Sequence, residues 1–280
     1  MEIIKASKAG FCAGVNYTVN KAKEILEKYP KVYALGDIVH NEYVINSLKE
    51  KGLITVDDLN EVTNGSNLIV RAHGEKLETY EKAKEKGINI LDLTCGRVSD
   101  IHQIIEKEKN KSFILVIGKK NHPETIAHLS YAKNISVIET KDDVNNLNIT
   151  SNNIYIVAQT TFNDSLFEEI VCDIKKKYPN KNIIVNKTIC NATKLRQNEI
   201  KDLSKKVNKM IVIGGKNSSN TKELFMVAKD NCNDTYLIQD AKGLDSISFH
   251  DKDIVGISAG ASTPDELIND VIKALQNRVK

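Results

Sequence analysis

Ile90-Leu-Asp-Leu-Thr-Cys95 is a short aliphatic run that ends in a cysteine, and the figure recurs along the chain. Ile183-Ile-Val-Asn-Lys-Thr-Ile-Cys190 repeats it closely, and Ile3-Ile-Lys followed by Gly10-Phe-Cys12 repeats it with a longer gap. Cys12 and Cys95 are 83 residues apart, Cys95 and Cys190 are 95 apart, and 90 residues follow, so the cysteines cut the chain into thirds. Self-similarity at a fixed period marks a repeated structural unit.

A second figure stands behind each cysteine: an apolar strand, a glycine, three residues and a polar side chain. Its instances are Tyr33-Ala-Leu-Gly36-Asp-Ile-Val-His40, Leu115-Val-Ile-Gly118-Lys-Lys-Asn-His122 and Ile211-Val-Ile-Gly214-Gly-Lys-Asn-Ser218, which end 28, 27 and 28 residues after the cysteine. A third strand per unit also ends in polar groups: Leu68-Ile-Val-Arg-Ala-His73, Tyr155-Ile-Val-Ala-Gln-Thr160 and Ile254-Val-Gly-Ile-Ser-Ala-Gly-Ala-Ser262. Between these buried-strand patterns lie helical periodicities over 17–28, 166–177 and 264–275, an alternation that argues an α/β fold with parallel strands.

The expected architecture is three small α/β units with mostly parallel sheets, in a pseudo-threefold trefoil around a central cluster site. The units run over 14–95, 96–190 and 191–280 plus 1–13, with the N-terminal dozen residues lending a strand to the third. Ligands of open α/β sheets sit beyond the carboxyl ends of the strands, and every polar residue of the repeat stands at such an end.

Composition narrows the function. A chain of 280 residues with 41% hydrophobic and 28% charged residues has the balance of a folded protein. A net charge of +3, scattered lysines, no Trp and 5% aromatics speak against a nucleic-acid binder. No apolar run approaches a membrane span. Met1-Glu-Ile-Ile-Lys lacks the character of a signal peptide, so a reducing cytoplasm is the expected compartment. Five cysteines with no C-x-x-C argue against a disulfide framework or a zinc ribbon. Gly214-Gly-Lys216-Asn-Ser is not a P-loop, because Asn follows the lysine and Met210 stands where the first glycine belongs.

Three converging thiols suit an iron–sulfur cluster with one iron lacking a protein ligand. The surrounding His40, His73, His122 and the Ser/Thr/Asn ring suit phosphate oxygens. Other readings compete. A zinc-dependent diphosphate hydrolase could use the same Cys/His ring, and a non-catalytic iron–sulfur sensor could use the same thiols. Cys172 and Cys232 fall outside the repeat and read as small core residues. Asn220-Thr-Lys-Glu223 reads as a helix cap with Glu at the third position, and Thr263-Pro-Asp-Glu266 as a capping box. His102, His128 and His250 read as surface or structural.

The motifs together resemble a known family. Gly10-Phe-Cys-Ala-Gly-Val15, Val39-His-Asn41, Arg71-Ala-His-Gly74, Thr94-Cys95, His122-Pro-Glu124, Gln159-Thr-Thr161, Thr188-Ile-Cys190 with Arg196-Gln197, Gly214 to Thr221 and Ser258 to Pro264 are similar, in this order, to the 4-hydroxy-3-methylbut-2-enyl diphosphate reductase (LytB) family. The resemblance covers essentially the whole chain. It implies one [4Fe–4S] cluster on Cys12, Cys95 and Cys190. It implies an allylic diphosphate held by His40, His73, His122, Ser218, Ser219, Asn220 and Ser262. Glu124 would supply protons and Thr160 would orient the substrate hydroxyl. The implied reaction is reductive dehydroxylation to isopentenyl and dimethylallyl diphosphate, the last step of the non-mevalonate pathway, with reduced ferredoxin or flavodoxin as electron donor.

Burial of Glu124 beside an anionic diphosphate is expected to raise its pKa. Two stretches depart from the family pattern. Gly96-Arg97-Val98 follows Thr-Cys where Pro-Leu-Val is usual, and Thr125-Ile-Ala-His128 stands where Val-x-Gly-Thr is usual. Arg97 either adds a charge near the cluster or faces solvent.

Overall fold

The computed structural model describes residues 1–278. In chain order, β1 (Glu2–Lys5) leads to α1 (Ala13–Lys28). Then come β2 (Val32–Leu35), α2 (Glu42–Lys49), β3 (Leu53–Val56), β4 (Asn67–Val70), α3 (Leu77–Glu85), β5 (Asn89–Asp92) and α4 (Gly96–Glu108). The middle of the chain holds β6 (Phe113–Ile117), α5 (Pro123–Leu129), β7 (Ile135–Ile138), α6 (Lys141–Asn145), β8 (Asn153–Ala158), α7 (Asp164–Lys177) and β9 (Asn182–Val185). The last part holds α8 (Asn191–Ser204), β10 (Lys209–Ile213), α9 (Ser219–Lys229), β11 (Thr235–Ile238), β12 (Ile254–Ala259) and α10 (Asp265–Asn277).

Among the described residues twelve strands form three four-stranded sheets, ordered β3-β2-β4-β5, β7-β6-β8-β9 and β11-β10-β12-β1. Every pairing is parallel. Each sheet therefore has the same order: second strand, first, third, fourth. In the last sheet β1 takes the fourth place, with Glu2 to Lys5 in register with Ile254 to Ile257. Parallel strands need crossover connections, and a helix supplies most of them. The first and third strands lie side by side at the centre of each sheet, where the connections leave in opposite directions. Crevices at such switch points are where open α/β sheets bind ligands.

Burial follows position. The central strands β6 and β10 are buried over nearly their whole length, with Ile114 to Ile117 and Met210 to Ile213 fully covered. The fourth strands, β1, β5 and β9, carry exposed ends, as an edge strand does. Helices cover the sheets with apolar stripes. Phe167, Ile170, Val171 and Ile174 of α7 pack with Ile154 and Ile156 of β8. Ile268, Val271 and Leu275 of α10 pack with Ile211, Val255 and Ile257. The spacing of three and four residues places these side chains on one helix face.

By internal contacts the chain divides into two compact units. The smaller takes residues 1–16, 39–46 and 191 onward, and holds the sheet of β10, β11, β12 and β1. The larger takes 17–38 and 47–190, and holds the other two sheets. Among the described residues no helix is long and apolar enough to cross a membrane.

Phe167 is fully buried within the β6–β9 sheet's core. Phe167→Ala is expected to destabilise the fold by about 3–5 kcal/mol, read as a lowered urea midpoint for the larger unit.

Candidate active site

Each repeat cysteine stands immediately before a helix: Cys12 before α1, Cys95 before α4 and Cys190 before α8. Each also makes the same backbone bond. The Cys95 N–H donates to Ala72 O at 3.0 Å, that of Cys190 to Thr160 O at 2.9 Å and that of Cys12 to Ala261 O at 3.2 Å. The acceptors lie in the turns that leave β4, β8 and β12, the third strands of their sheets. Every thiol is thus set at a strand end and a helix start, where the helix field favours negative charge. The Val15 N–H lies 3.4 Å from Cys12 Sγ. All three are half-buried, and none is in a disulfide.

Neighbouring residues fix these loops. Arg196 is buried in α8; its guanidinium donates to Ala192 O at 3.0 Å and to Gly10 O at 2.7 Å, tying down the loop that carries Cys12. Thr188 Oγ1 donates to Ala158 O at 2.6 Å and accepts from the Ala158 N–H at 2.8 Å, which extends the β8–β9 ladder toward Cys190. The remaining cysteines differ from one another. Cys232 is buried in the core with Met210 and Leu224, as expected, whereas Cys172 is exposed on α7 and is no core residue. Arg97 faces solvent, 3.7 Å from Asp100.

In the larger unit the ends of β6 and β8 bring Glu124 and Thr160 together. His122 caps α5, its Nδ1 accepting from the Glu124 N–H at 3.2 Å. Glu124 Oε1 accepts from the Thr160 N–H at 2.6 Å, and Oε2 accepts from Thr160 Oγ1 at 2.7 Å. Gln159 braces the pair of loops, its Oε1 accepting from the Lys119 N–H and its Nε2 donating to Thr161 Oγ1. His73 packs edge-on against His122, ring centres 5.3 Å apart.

The carboxyl is 1% exposed and has an imidazole at its back: His128 Nε2 lies 3.5 Å from Oε1. Burial is the largest single influence on Glu124 and pushes its pKa up. His128, His122 and the Thr160 N–H together outweigh it and hold the carboxyl below its ordinary value of 4.5. With no anion beside it, the buried carboxylate keeps its charge, because donors and imidazoles surround it.

Two histidines assigned to surface or structural roles are part of this cluster. His128 is fully buried, and His102 of α4 is buried against it, ring centres 5.0 Å apart. His102 also stacks on Tyr131 at 4.1 Å. Gly74 makes this packing possible. It sits at φ +76°, and a Cβ there would meet His102 Cε1 at 2.7 Å. The helical i, i+4 spacing of Glu124 and His128 is the sequence signal that points to their contact.

In the smaller unit a second polar group collects around α9. Ser218 caps the helix by accepting the Thr221 N–H, so the cap expected at Asn220 lies two residues earlier. Ser219 and Asn220 are buried in the first turn, and both amide atoms of Asn220 are buried with no hydrogen-bond partner. Ser262 Oγ donates to His40 O at 3.2 Å. Gly215 lets His40 approach, since a Cβ there would lie 2.3 Å from His40 O. The capping box expected at Thr263 does not form. Pro264 takes the cap position of α10, and Thr263 Oγ1 donates to Ile213 O at 3.0 Å instead.

A family model described as LytB protein matches residues 3–276. The chain belongs to the LytB family. A Clostridioides difficile relative named 4-hydroxy-3-methylbut-2-enyl diphosphate reductase is 39% identical over 281 residues, covering 99% of this chain and 100% of its own. A Fusobacterium nucleatum relative of the same name is 38% identical over all of this chain, which spans 35% of that longer protein. Among solved structures, the Plasmodium falciparum E-1-hydroxy-2-methyl-but-2-enyl-4-diphosphate reductase superposes with a TM-score of 0.92 at 30% identity, covering 99% of this chain and 88% of that one. A second, described as the terminal enzyme of the non-mevalonate pathway, is 40% identical with a TM-score of 0.71, covering 99% and 100%. The LytB fold is α/β with three parallel sheets, as the repeats require. These relatives carry reductase names, so the zinc hydrolase reading is set aside.

Two outcomes follow from this geometry. Arg196→Met removes both guanidinium bonds and is expected to cost about 1–3 kcal/mol, with faster maleimide labelling of Cys12 than of Cys95 or Cys190 relative to the parent apoprotein. Glu124 has a lowered folded-state pKa, so its contribution to stability is full above about 4.5 and is lost as pH falls through the lower folded value. Glu124→Gln should flatten the acid side of the stability–pH curve, measured by thermal unfolding at stepped pH.

Proposed function

We infer that this chain reduces (E)-4-hydroxy-3-methylbut-2-enyl diphosphate to isopentenyl and dimethylallyl diphosphate, the last step of the non-mevalonate isoprenoid pathway. The observation that carries the reading is the buried Glu124–Thr160 couple, in a chain that matches the family from residue 3 to 276.

Cys12, Cys95 and Cys190 would hold a [4Fe–4S] cluster. Their fit is chemical: three half-buried thiols outside any disulfide, each at a helix start and each anchored by its own N–H. Three protein thiolates leave one iron open. When bound, the cluster supplies electrons and a Lewis-acidic iron for the allylic oxygen.

The protein's own part is binding and proton supply. Removing the hydroxyl as water takes two electrons and two protons. Glu124 is placed to provide a proton through Thr160, whose hydroxyl can accept and donate at once. A bound diphosphate would push the Glu124 pKa upward and so favour the acid form that donates. The diphosphate handle is assigned to His40, His73, His122, Ser218, Ser219, Asn220 and Ser262. Asn220 supports this most directly, because a buried amide with neither atom paired suits a polar ligand. Holding the remote end fixes the reacting carbon in place.

Reduced ferredoxin or flavodoxin would deliver the electrons. The division into units 14–95, 96–190 and 191–280 with 1–13 is our reading too, supported by one strand order recurring in three sheets.

Anaerobically purified protein should carry about four iron and four acid-labile sulfide per chain. Glu124→Gln and Thr160→Val should keep the cluster and lower kcat by roughly 10²–10⁴. Zinc without sulfide, persisting after anaerobic reconstitution with iron and sulfide, would overturn the reading.

A further inference from the structure

Glu124 donates into the site through Thr160, and each turnover leaves it as a carboxylate that must regain a proton. Both of its oxygens are already engaged by Thr160 on the substrate side. Behind it stands a row of titratable groups that the proposed reaction does not use. His128 is fully buried one helical turn away, with Nε2 3.5 Å from Glu124 Oε1 and Nδ1 without a hydrogen-bond partner. His102 packs edge-on against His128, and its Nε2 is also buried and unpartnered.

The row ends at a cavity. A pocket of about 410 Å³ is lined by His102, Tyr131, Tyr80, Asp92 and Glu106, among others. Asp92 and Glu106 are exposed, so the pocket reaches solvent. The buried His102 Nε2 and His128 Nδ1 make no hydrogen bond, and the two rings lie between the cavity and the catalytic carboxyl.

We propose that His102 and His128 form a rear proton path that reloads Glu124 from this cavity. The proposal rests on Glu124 as the proton source. The proton moves from cavity water to His102, then to His128 once the edge-on rings turn into hydrogen-bond contact, and from the His128 imidazolium to Glu124, which returns His128 to its neutral form. No electron or heavy atom is transferred. The groups facing the path are Glu124 on α5, His122 at its N-cap, Asp92 at the end of β5, Tyr80 on α3, Tyr131 beyond α5 and Glu106 on α4. Burial is the main cause that pushes His102 down to about 4, with His128 adding to it. His102 is therefore neutral near pH 7, able to accept at one nitrogen while donating from the other.

Four variants test this: His128→Gln, His102→Ala, Glu124→Gln and, as a fold control, His102→Asn. His128→Gln and His102→Ala should retain the cluster spectrum and lower kcat by about 10–100-fold with KM within about threefold, the size of a lost proton-transfer group. Added imidazole should restore turnover in His102→Ala, where the deleted ring opens onto the cavity. A readout independent of turnover is the infrared carbonyl band of protonated Glu124, identified by its loss in Glu124→Gln. With His128 gone, that band should appear at higher pH than in the parent. Full kcat in His128→Gln and His102→Ala, with Glu124→Gln inactive, would overturn the path alone. Full kcat in Glu124→Gln would overturn the proton-source reading and the path with it. A kcat loss in His102→Ala that imidazole does not restore and that His102→Asn does not share would assign His102 a packing role and also sink the path.

Discussion

The bond from each repeat cysteine's N–H to the turn beyond its sheet's third strand is the constraint on which the site depends. It is made three times, at Cys12, Cys95 and Cys190. A parallel sheet with order second, first, third, fourth brings the first and third strands together at its centre and leaves the fourth at the edge. The chain leaving the edge strand must be drawn back toward the centre before a thiol can stand near the switch point. The cysteine amide does this, and the helix that begins at the next residue fixes the direction in which the chain departs. Arg196 and Thr188 show how much of the surrounding sequence serves the same end. Each closes a loop beside a cysteine.

The second organising interaction is electrostatic. Glu124 is nearly inaccessible to solvent, which by itself would make it a neutral acid. His128, His122 and the Thr160 N–H reverse that preference. In the free protein the carboxyl therefore keeps its charge, and it takes an added anion nearby to favour its acid form.

The repeated figures were legible because each is local. A run of aliphatic residues, a glycine after the first strand, and a polar group at a constant offset are properties of contiguous sequence. The three glycine N–H groups confirm how local the rule is: Gly36, Gly118 and Gly214 each donate to the carbonyl at the end of their second strand, Val56, Ile138 and Ile238. The places where the reading went wrong are those where a residue's partner is distant in sequence. Thr263 looked like a helix cap but bonds Ile213 across the sheet. Cys172 looked like core but faces solvent, because α7 turns other residues inward. His102 and His128 read as surface or structural and prove buried, but nothing in either local stretch states that α4 and α5 face each other.

By itself, the sequence determined the α/β class, the strand-to-thiol repeat and the residue types at the strand ends, because hydrophobic period and turn chemistry act over a few residues. Only the tertiary structure decided which carboxylate oxygen meets which donor, that Asn220 is buried without partners, and that two histidines stand between Glu124 and a solvent-reaching cavity. Those facts depend on burial and on contacts between elements, and the free energy of a charged group depends on everything packed around it rather than on its neighbours in the chain.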